Sequence, residues 1–154
     1  MNKVELEEIK LIGLSLRTKT TNEMGKSGVD CGSLWQKFEK ENLADKIPNK
    51  LSDEIFAVYH QYEGDHTHPF SYFIGCKVDA ETKIPEGLDS LLISGGLYQK
   101  VISTGEMPDC LTNSWKEIWN SGIPRAYKTD FEVYDERSKD WSKAEVDIFV
   151  SIQH

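Results

Sequence analysis

The sequence predicts an α+β domain built from a strand–helix–strand–strand unit that occurs twice. Apolar residues alternate along the predicted strands and recur at helical spacing along two predicted helices, in the same order in each half of the chain. The 154 residues match the usual length of one domain. We therefore expect a single domain over residues 1–154, with repeat halves at about 1–80 and 88–154. Two helices should cover one face of an antiparallel sheet.

The first half begins with a predicted strand over residues 10–18, followed by a polar, turn-rich loop. Asp30 is the expected N-cap of a helix that ends before Pro48. This helix is amphipathic because its apolar residues fall at helical spacing, namely Cys31, Leu34, Trp35 and Phe38. Alternating apolar and β-branched residues predict two further strands at residues 55–62 and 70–78.

The second half repeats this order. Residues 91–104 are β-like, with a break or bulge at Gly95-Gly96. A helix that ends at Gly122 follows, and its apolar stripe consists of Leu111, Trp115, Ile118 and Trp119. Residues 131–134 and 146–152 complete the half as two strands.

Local sequence matches support a duplication. Phe56-Ala57-Val58-Tyr59 in the first half is matched by Phe131-Glu132-Val133-Tyr134 in the second. Trp35 and Trp115 occupy equivalent places on the two helices, and an Ile-Pro pair follows each helix. Because these matches occur in the same order, they indicate a repeated structural unit.

Composition excludes several classes of function. The formal net charge is -8, and no basic patch offsets it, so we expect no direct binding to nucleic acid. No apolar run approaches the ~20 residues of a membrane helix, and the amino terminus lacks the apolar stretch of a signal peptide. Three cysteines without CxxC spacing favour a reducing compartment, and we expect a cytoplasmic protein.

The candidate functional residues lie at positions where the sequences of the two halves differ. Glu132 stands where the first half has Ala57, and it shares a strand face with Tyr134. On the last strand Asp147 shares a face with Phe149, opposite an aliphatic face. We expect these acids and rings to line one cleft, since aromatic walls and a sheltered carboxylate attract an organic cation. The alternative is an ordinary solvated face, because acidic residues are mostly exposed.

At these residues the sequence resembles the GyrI-like, AraC-type effector-binding superfamily. It is most similar to the short stand-alone branch, which includes YdeE-like and integron-cassette-like members. The resemblance covers nearly the whole chain, although no single motif is highly specific. The similar segments are Ile12-Gly13-Leu14, Tyr72-Phe73-Ile74-Gly75, Gly95-Gly96-Leu97-Tyr98, Ser114-Trp115-Lys116-Glu117-Ile118-Trp119, Phe131-Glu132-Val133-Tyr134 and Glu145-Val146-Asp147-Ile148-Phe149-Val150.

The resemblance implies two repeated units around a central ligand pocket. It also implies binding of hydrophobic cations and drugs, usually to control an attached DNA-binding domain. Glu132 matches the family's acidic pocket residue. The family's terminal Glu-x-Tyr pair falls on Asp147 and Phe149, where the acid is shorter and the phenol hydroxyl is missing. The resemblance favours the pocket over a solvated face.

Two further aromatic residues are candidates for ligand contact. Trp115 lies on the second helix, where core packing is the simpler interpretation, and Tyr98 begins the second unit, where a core or a rim position is equally compatible. The segment His66-Thr67-His68 beside Asp65 is too sparse for a zinc site, so we expect neither metal nor cofactor.

The main functional hypothesis is a stand-alone module that binds a small hydrophobic, cationic molecule and lacks its own DNA-binding domain. The ligand-binding candidates are Glu132, Tyr134, Asp147, Phe149, Trp115 and Tyr98. One alternative is a hydrolase of electrophilic xenobiotics that uses the same pocket, with Glu132 or Asp147 activating water. Another is a gyrase-interacting protein whose acidic surface contacts a basic partner.

Overall fold

The computed structural model describes residues 2–153. The first half contains β1 (Asn2–Leu6), β2 (Ile9–Ser15), α1 (Lys26–Lys40), β3 (Ile55–His60) and β4 (Ser71–Lys77). The second half contains β5 (Asp89–Ile93), β6 (Gly96–Gly105), α2 (Asp109–Trp119), β7 (Thr129–Tyr134) and β8 (Ala144–Ser151). Short 3₁₀ turns lie at Glu23–Gly25, Leu43–Lys46 and Glu136–Ser138.

The strands form one antiparallel sheet in the order β1-β6-β8-β7-β3-β4-β2-β5. The predicted α+β class and the repeated strand–helix–strand–strand order are therefore confirmed. Each unit also has a leading strand that the sequence did not predict as a separate element. These leading strands are exchanged, since β1 pairs with β6 of the second unit and β5 pairs with β2 of the first. Each unit therefore contributes one edge strand that is hydrogen-bonded to the other unit.

A local two-fold relation centres on the pairing of β3 with β7. Ala57 lies directly opposite Glu132, and the flanking pairs are Phe56 with Val133 and Val58 with Phe131. The two matching tetrapeptides therefore pair in antiparallel orientation, and the local two-fold axis passes through the Ala57–Glu132 pair. This arrangement puts Glu132, the one acidic substitution in the repeat, at the middle of the sheet.

Both helices cover the same face of the sheet. Residues paired directly across antiparallel strands share a face, so Ile74, Ala57, Glu132 and Ile148 form one row. Leu34 and Phe38 of α1 pack over the first unit in a cluster with Ala57 and Ile74. Ile118 of α2 packs over the second unit with Ile148 and Val150. The side chains of α1 and α2 therefore pack over different halves of the same face.

The opposite face of the sheet holds a second hydrophobic core, to which no helix of the described residues contributes a side chain. Its side chains come from all eight strands of the described residues, and Phe56, Phe73 and Phe131 are each at least 96% buried. Two residues separate β1 from β2, and two separate β5 from β6, although β1 and β5 are the edge strands at opposite ends of the sheet. These short connections bring the two ends of the sheet together at one corner, so the sheet curls around this core.

Helix α1 differs from the prediction at its start. It begins at Lys26, so Asp30 lies inside the helix instead of capping it. The Asp30 carboxylate instead accepts a hydrogen bond from the Thr20 hydroxyl at 2.7 Å. The predicted loop over residues 20–28 is therefore too long by three residues, because residues 26–28 are helical. Gly25, immediately before the helix, takes the left-handed conformation (φ 71°) that glycine adopts readily.

Candidate functional site

A cavity of about 890 Å³ opens on the helix-covered face, between the two helices. One wall comes from α1, and another comes from Leu111 of α2 and the two residues before that helix. The remaining walls come from the adjoining ends of β3 and β7 and from side chains within residues 135–141. The central part of the sheet forms the floor, where Glu132 and the side chains of Tyr59, Tyr72 and Tyr134 lie. Residues of both units line the cavity, which therefore lies where the two units meet.

Glu132 is fully buried and accepts three hydrogen bonds from neutral donors. Its Oε2 accepts from the Tyr59 hydroxyl at 2.7 Å and from Trp115 Nε1 at 2.6 Å. Its Oε1 accepts from the Tyr134 hydroxyl at 2.5 Å. Within residues 2–153, no lysine, arginine or histidine forms an ion pair with it. The carboxylate is thus hydrogen-bonded but electrically uncompensated.

Burial raises the pKa of Glu132, because removal from water disfavours the charged form. The hydrogen bonds from Tyr134, Tyr59 and Trp115 favour the charged form and only partly offset this effect. Burial, with Glu132 as the next cause, also raises the pKa of Tyr59, Tyr72 and Tyr134 well above 10. The tyrosines therefore stay protonated near neutral pH and can remain hydrogen-bond donors.

Aromatic rings surround the carboxylate. Tyr59 packs against Tyr72 and Trp115 with ring centroids 5.0 and 5.2 Å apart. Trp35 packs edge-on against Tyr134 at 4.9 Å and donates a hydrogen bond from Nε1 to the Tyr72 hydroxyl at 2.8 Å. Each of these cavity rings is thus also held by a hydrogen bond through its polar atom.

A second buried carboxylate lies two residues away on the same strand face and has a different environment. Asp130 is fully buried, and its Oδ2 lies 2.6 Å from the guanidinium of Arg125, whose side chain is also buried. The Tyr62 hydroxyl and the Ser151 backbone amide also donate to Asp130. Asp130 therefore has a cationic partner, whereas Glu132 has none among the residues that the structure describes.

The predicted grouping of Glu132 with Asp147 and Phe149 is wrong. In the pairing of β7 with β8, Glu132 lies opposite Ile148, whereas Phe149 lies opposite Phe131 and Asp147 opposite Val133. The Phe149 ring stacks on Phe131 at 4.8 Å, on the face opposite the one that α1 and α2 cover. The aliphatic face of β8 and the acidic face of β7 therefore point the same way, toward the helices.

Asp147, Phe149 and Tyr98, which lie on that other face, make contacts with neighbouring protein side chains. Asp147 accepts from Arg137 at 2.7 Å, and its Oδ2 lies 3.7 Å from Lys100 Nζ. Tyr98 is 3% exposed, packs edge-on against Phe131 and donates to the Ser94 carbonyl oxygen. Of the six candidates, the structure brings together Glu132, Tyr134 and Trp115, and it places Asp147, Phe149 and Tyr98 on the far side of the sheet.

Sequence reasoning missed several residues of the cavity. Tyr59 donates to Glu132 as Tyr134 does, and the repeat could have identified it, because Tyr59 matches Tyr134 in the duplicated tetrapeptide. Tyr72 and Cys31 also line the cavity, but they gave no comparable signal. Burial, followed by the charge of Glu132, raises the pKa of the Cys31 thiol far above its usual range, which leaves it a weak nucleophile.

Two further observations concern metals and membranes. In the part of the chain that the structure describes, no three His, Cys, Asp or Glu side chains converge as metal ligands. None of the described helices is long and apolar enough to cross a bilayer.

A duplicated, helix-covered sheet with an aromatic cavity over a buried carboxylate defines a GyrI-like effector-binding domain. The chain matches the family of integron-associated effector binding proteins over residues 4–152 and belongs to that family. This family is related to the ligand-binding domains of transcription regulators, as the resemblance implied.

Individual relatives agree with this assignment. YobU of Bacillus subtilis (strain 168), which is named as a transcriptional regulator, is 25% identical over 148 residues, covering 94% of this chain and 92% of YobU. An integron cassette protein of Vibrio cholerae is 30% identical with a TM-score of 0.74, covering 99% and 95% of the two chains. The structure of SAV2435 bound to tetraphenylphosphonium has a TM-score of 0.79 at 16% identity, covering 99% and 93%.

Proposed function

We propose that this protein binds hydrophobic organic cations in the cavity over Glu132. The observation that carries the proposal is the contrast between the two buried carboxylates of β7, since Asp130 is paired with Arg125 and Glu132 has no cationic partner among the described residues. A positively charged ligand would supply the missing charge. Glu132 provides the electrostatic attraction, while Tyr134 and Trp115 hold its carboxylate in place.

Electrostatics favours such a ligand. A buried charge without a partner costs free energy, so a cation that enters the cavity recovers part of this cost. At an effective dielectric constant near 20, two unit charges 4 Å apart attract by about 4 kcal/mol, before the desolvation of the ligand is subtracted. A cation with delocalised charge and aryl groups loses little hydration, and the rings of Tyr59, Tyr72 and Trp35 offer it contact area and cation–π attraction.

The outer wall of the cavity adds to this preference. Its acidic side chains outnumber its basic ones, namely Glu39, Asp53, Glu54, Asp135 and Glu136 against Lys139. One of them, Asp135, is paired with Arg137. The remaining negative potential would raise the local concentration of cations and repel anions at the entrance.

The relatives are compatible with this proposal. SAV2435, whose fold is similar, has been solved with tetraphenylphosphonium, a hydrophobic cation. YobU carries the name of a transcriptional regulator. By analogy, ligand binding in this chain would be a regulatory signal or a means of sequestering the cation, and it requires no chemical turnover.

The test is isothermal titration calorimetry with tetraphenylphosphonium and with triphenylphosphine oxide, a neutral aryl compound of related shape. Wild type should bind the cation more tightly than the oxide. Glu132→Gln should weaken cation binding by about 10- to 100-fold, as expected for loss of a charged interaction, and should leave the oxide unchanged. Glu136→Gln, which removes a charge from the exposed outer wall, is the matched control and should change the affinity by less than about threefold at physiological salt.

Equal affinity of wild type and Glu132→Gln for tetraphenylphosphonium would contradict the role of the carboxylate. Failure of wild type to bind any hydrophobic cation would contradict the proposed function as a whole.

A further inference from the structure

Helix α1 presents two glycines to the cavity. Gly28 and Gly32 lie one helical turn apart, and both belong to the cavity wall together with Trp35 of the same helix. Glycine inside a helix lowers stability relative to alanine, because the unfolded chain has more conformational freedom to lose. Two such residues on one face of a 15-residue helix therefore require an explanation.

Neither backbone conformation nor packing explains these glycines. Gly25, before the helix, has a positive φ, but Gly28 and Gly32 do not. A Cβ atom added at Gly28 or at Gly32 would meet no heavy atom within 4 Å. The protein itself could therefore accept alanine at both positions. An added methyl group would therefore occupy open space. Gly28 is exposed and Gly32 is half-buried, and both residues adjoin the cavity.

We propose that Gly28 and Gly32 are specificity-determining residues that let a bulky aryl group of the ligand lie directly against the backbone of α1. This inference rests on the proposed function and adds the size and shape of the ligand to it. The glycine strip forms one wall, and the carboxylate and the tyrosine rings form the floor. The cavity therefore favours cations with several aryl groups, one directed to the floor and another to the helix wall.

The test compares two measurements, because substitution of these glycines by alanine should raise the Tm but weaken ligand binding. Gly32→Ala and Gly28→Ala should each raise the Tm by about 1–4 °C, because alanine favours the helix. Both should weaken the binding of tetraphenylphosphonium by about tenfold, as expected when a methyl group intrudes on a packed ring. Benzyltrimethylammonium, a cation with one aryl group, should bind each variant within about twofold of wild type.

Ser33→Ala is the matched control, since Ser33 lies on the exposed side of the same helix and does not line the cavity. It should raise the Tm without changing either affinity. Unchanged binding of tetraphenylphosphonium to both glycine variants would overturn the inference, as would equal weakening of the large and the small cation. In either case binding by wild type and its loss in Glu132→Gln would leave the proposed function intact. If wild type binds neither cation, both proposals fail.

Discussion

The burial of Glu132 predicts that the contribution of this residue to stability falls as pH rises through the pKa of its carboxyl. Burial raises the pKa of Glu132 above its ordinary value of 4.5. The folded protein thus holds this proton more tightly than the unfolded chain does. The contribution of Glu132 to the free energy of unfolding is therefore fully present below pH 4.5 and is lost as pH rises through the higher folded-state pKa.

The magnitude follows from two opposing effects. Each unit by which the folded-state pKa exceeds the unfolded value corresponds to about 1.4 kcal/mol. Burying a carboxylate costs several kcal/mol, while a hydrogen bond to a charged group contributes about 1.5–3 kcal/mol. Three such bonds from Tyr59, Trp115 and Tyr134 offset much of the cost, and the raised pKa indicates that burial prevails.

Glu132→Gln isolates this contribution. The amide oxygen can accept from Trp115 and Tyr59 in place of Oε2, and the amide nitrogen can donate to the Tyr134 hydroxyl oxygen. The variant should therefore fold, and at pH 8 it should be at least as stable as wild type. The quantity to compare is the difference in free energy of unfolding between the two proteins, because all other titrating groups cancel.

Urea unfolding followed by tryptophan fluorescence between pH 5 and 8 measures this difference. The difference should move in favour of Glu132→Gln as pH rises and should level off above the folded-state pKa. A difference that is constant with pH, or one that moves in favour of wild type, would refute the account of Glu132 as an uncompensated buried acid.

Two further predictions use the neighbouring residues. Asp130→Asn leaves the buried guanidinium of Arg125 without its charged partner, so the free energy of unfolding should fall by about 3–5 kcal/mol. The Tm, measured by circular dichroism, should fall by at least about 6 °C. A loss of stability below about 1 kcal/mol would contradict a buried ion pair. Phe149→Leu removes a ring stacked on Phe131 on the far side of the sheet, so it should destabilise the protein by about 1 kcal/mol and leave the affinity for tetraphenylphosphonium unchanged. A tenfold loss of affinity in this variant would mean that Phe149 reaches the ligand.

Periodicity and repetition in the sequence were sufficient for the repeated strand–helix–strand–strand order, but not for β1 or for the division of β5 from β6. Alternation marked the long inner strands, and the matching tetrapeptides around Ala57 and Glu132 revealed the duplication that the sheet displays. The same comparison identified Glu132, because an acid at the midpoint of an otherwise apolar repeat has no counterpart in the other half. Helical spacing placed Trp115 on α2, from which it donates to Glu132.

The relation between strands depended on the tertiary structure. Alternation of apolar and polar residues shows which side chains share a face within one strand. The pairing register decides which face of one strand lies on the same side of the sheet as a given face of its neighbour. A shift of the register by one residue moves every side chain of that strand to the opposite face. Register placed Glu132 beside Ile148 and sent Phe149 and Asp147 to the far side. The cavity likewise arises because two helices cover separate halves of one face, and the gap between them depends on packing across distant parts of the chain. Local sequence patterns carry no information about such a gap, since residues more than seventy positions apart, such as Tyr59 and Glu132, must first come together to form it.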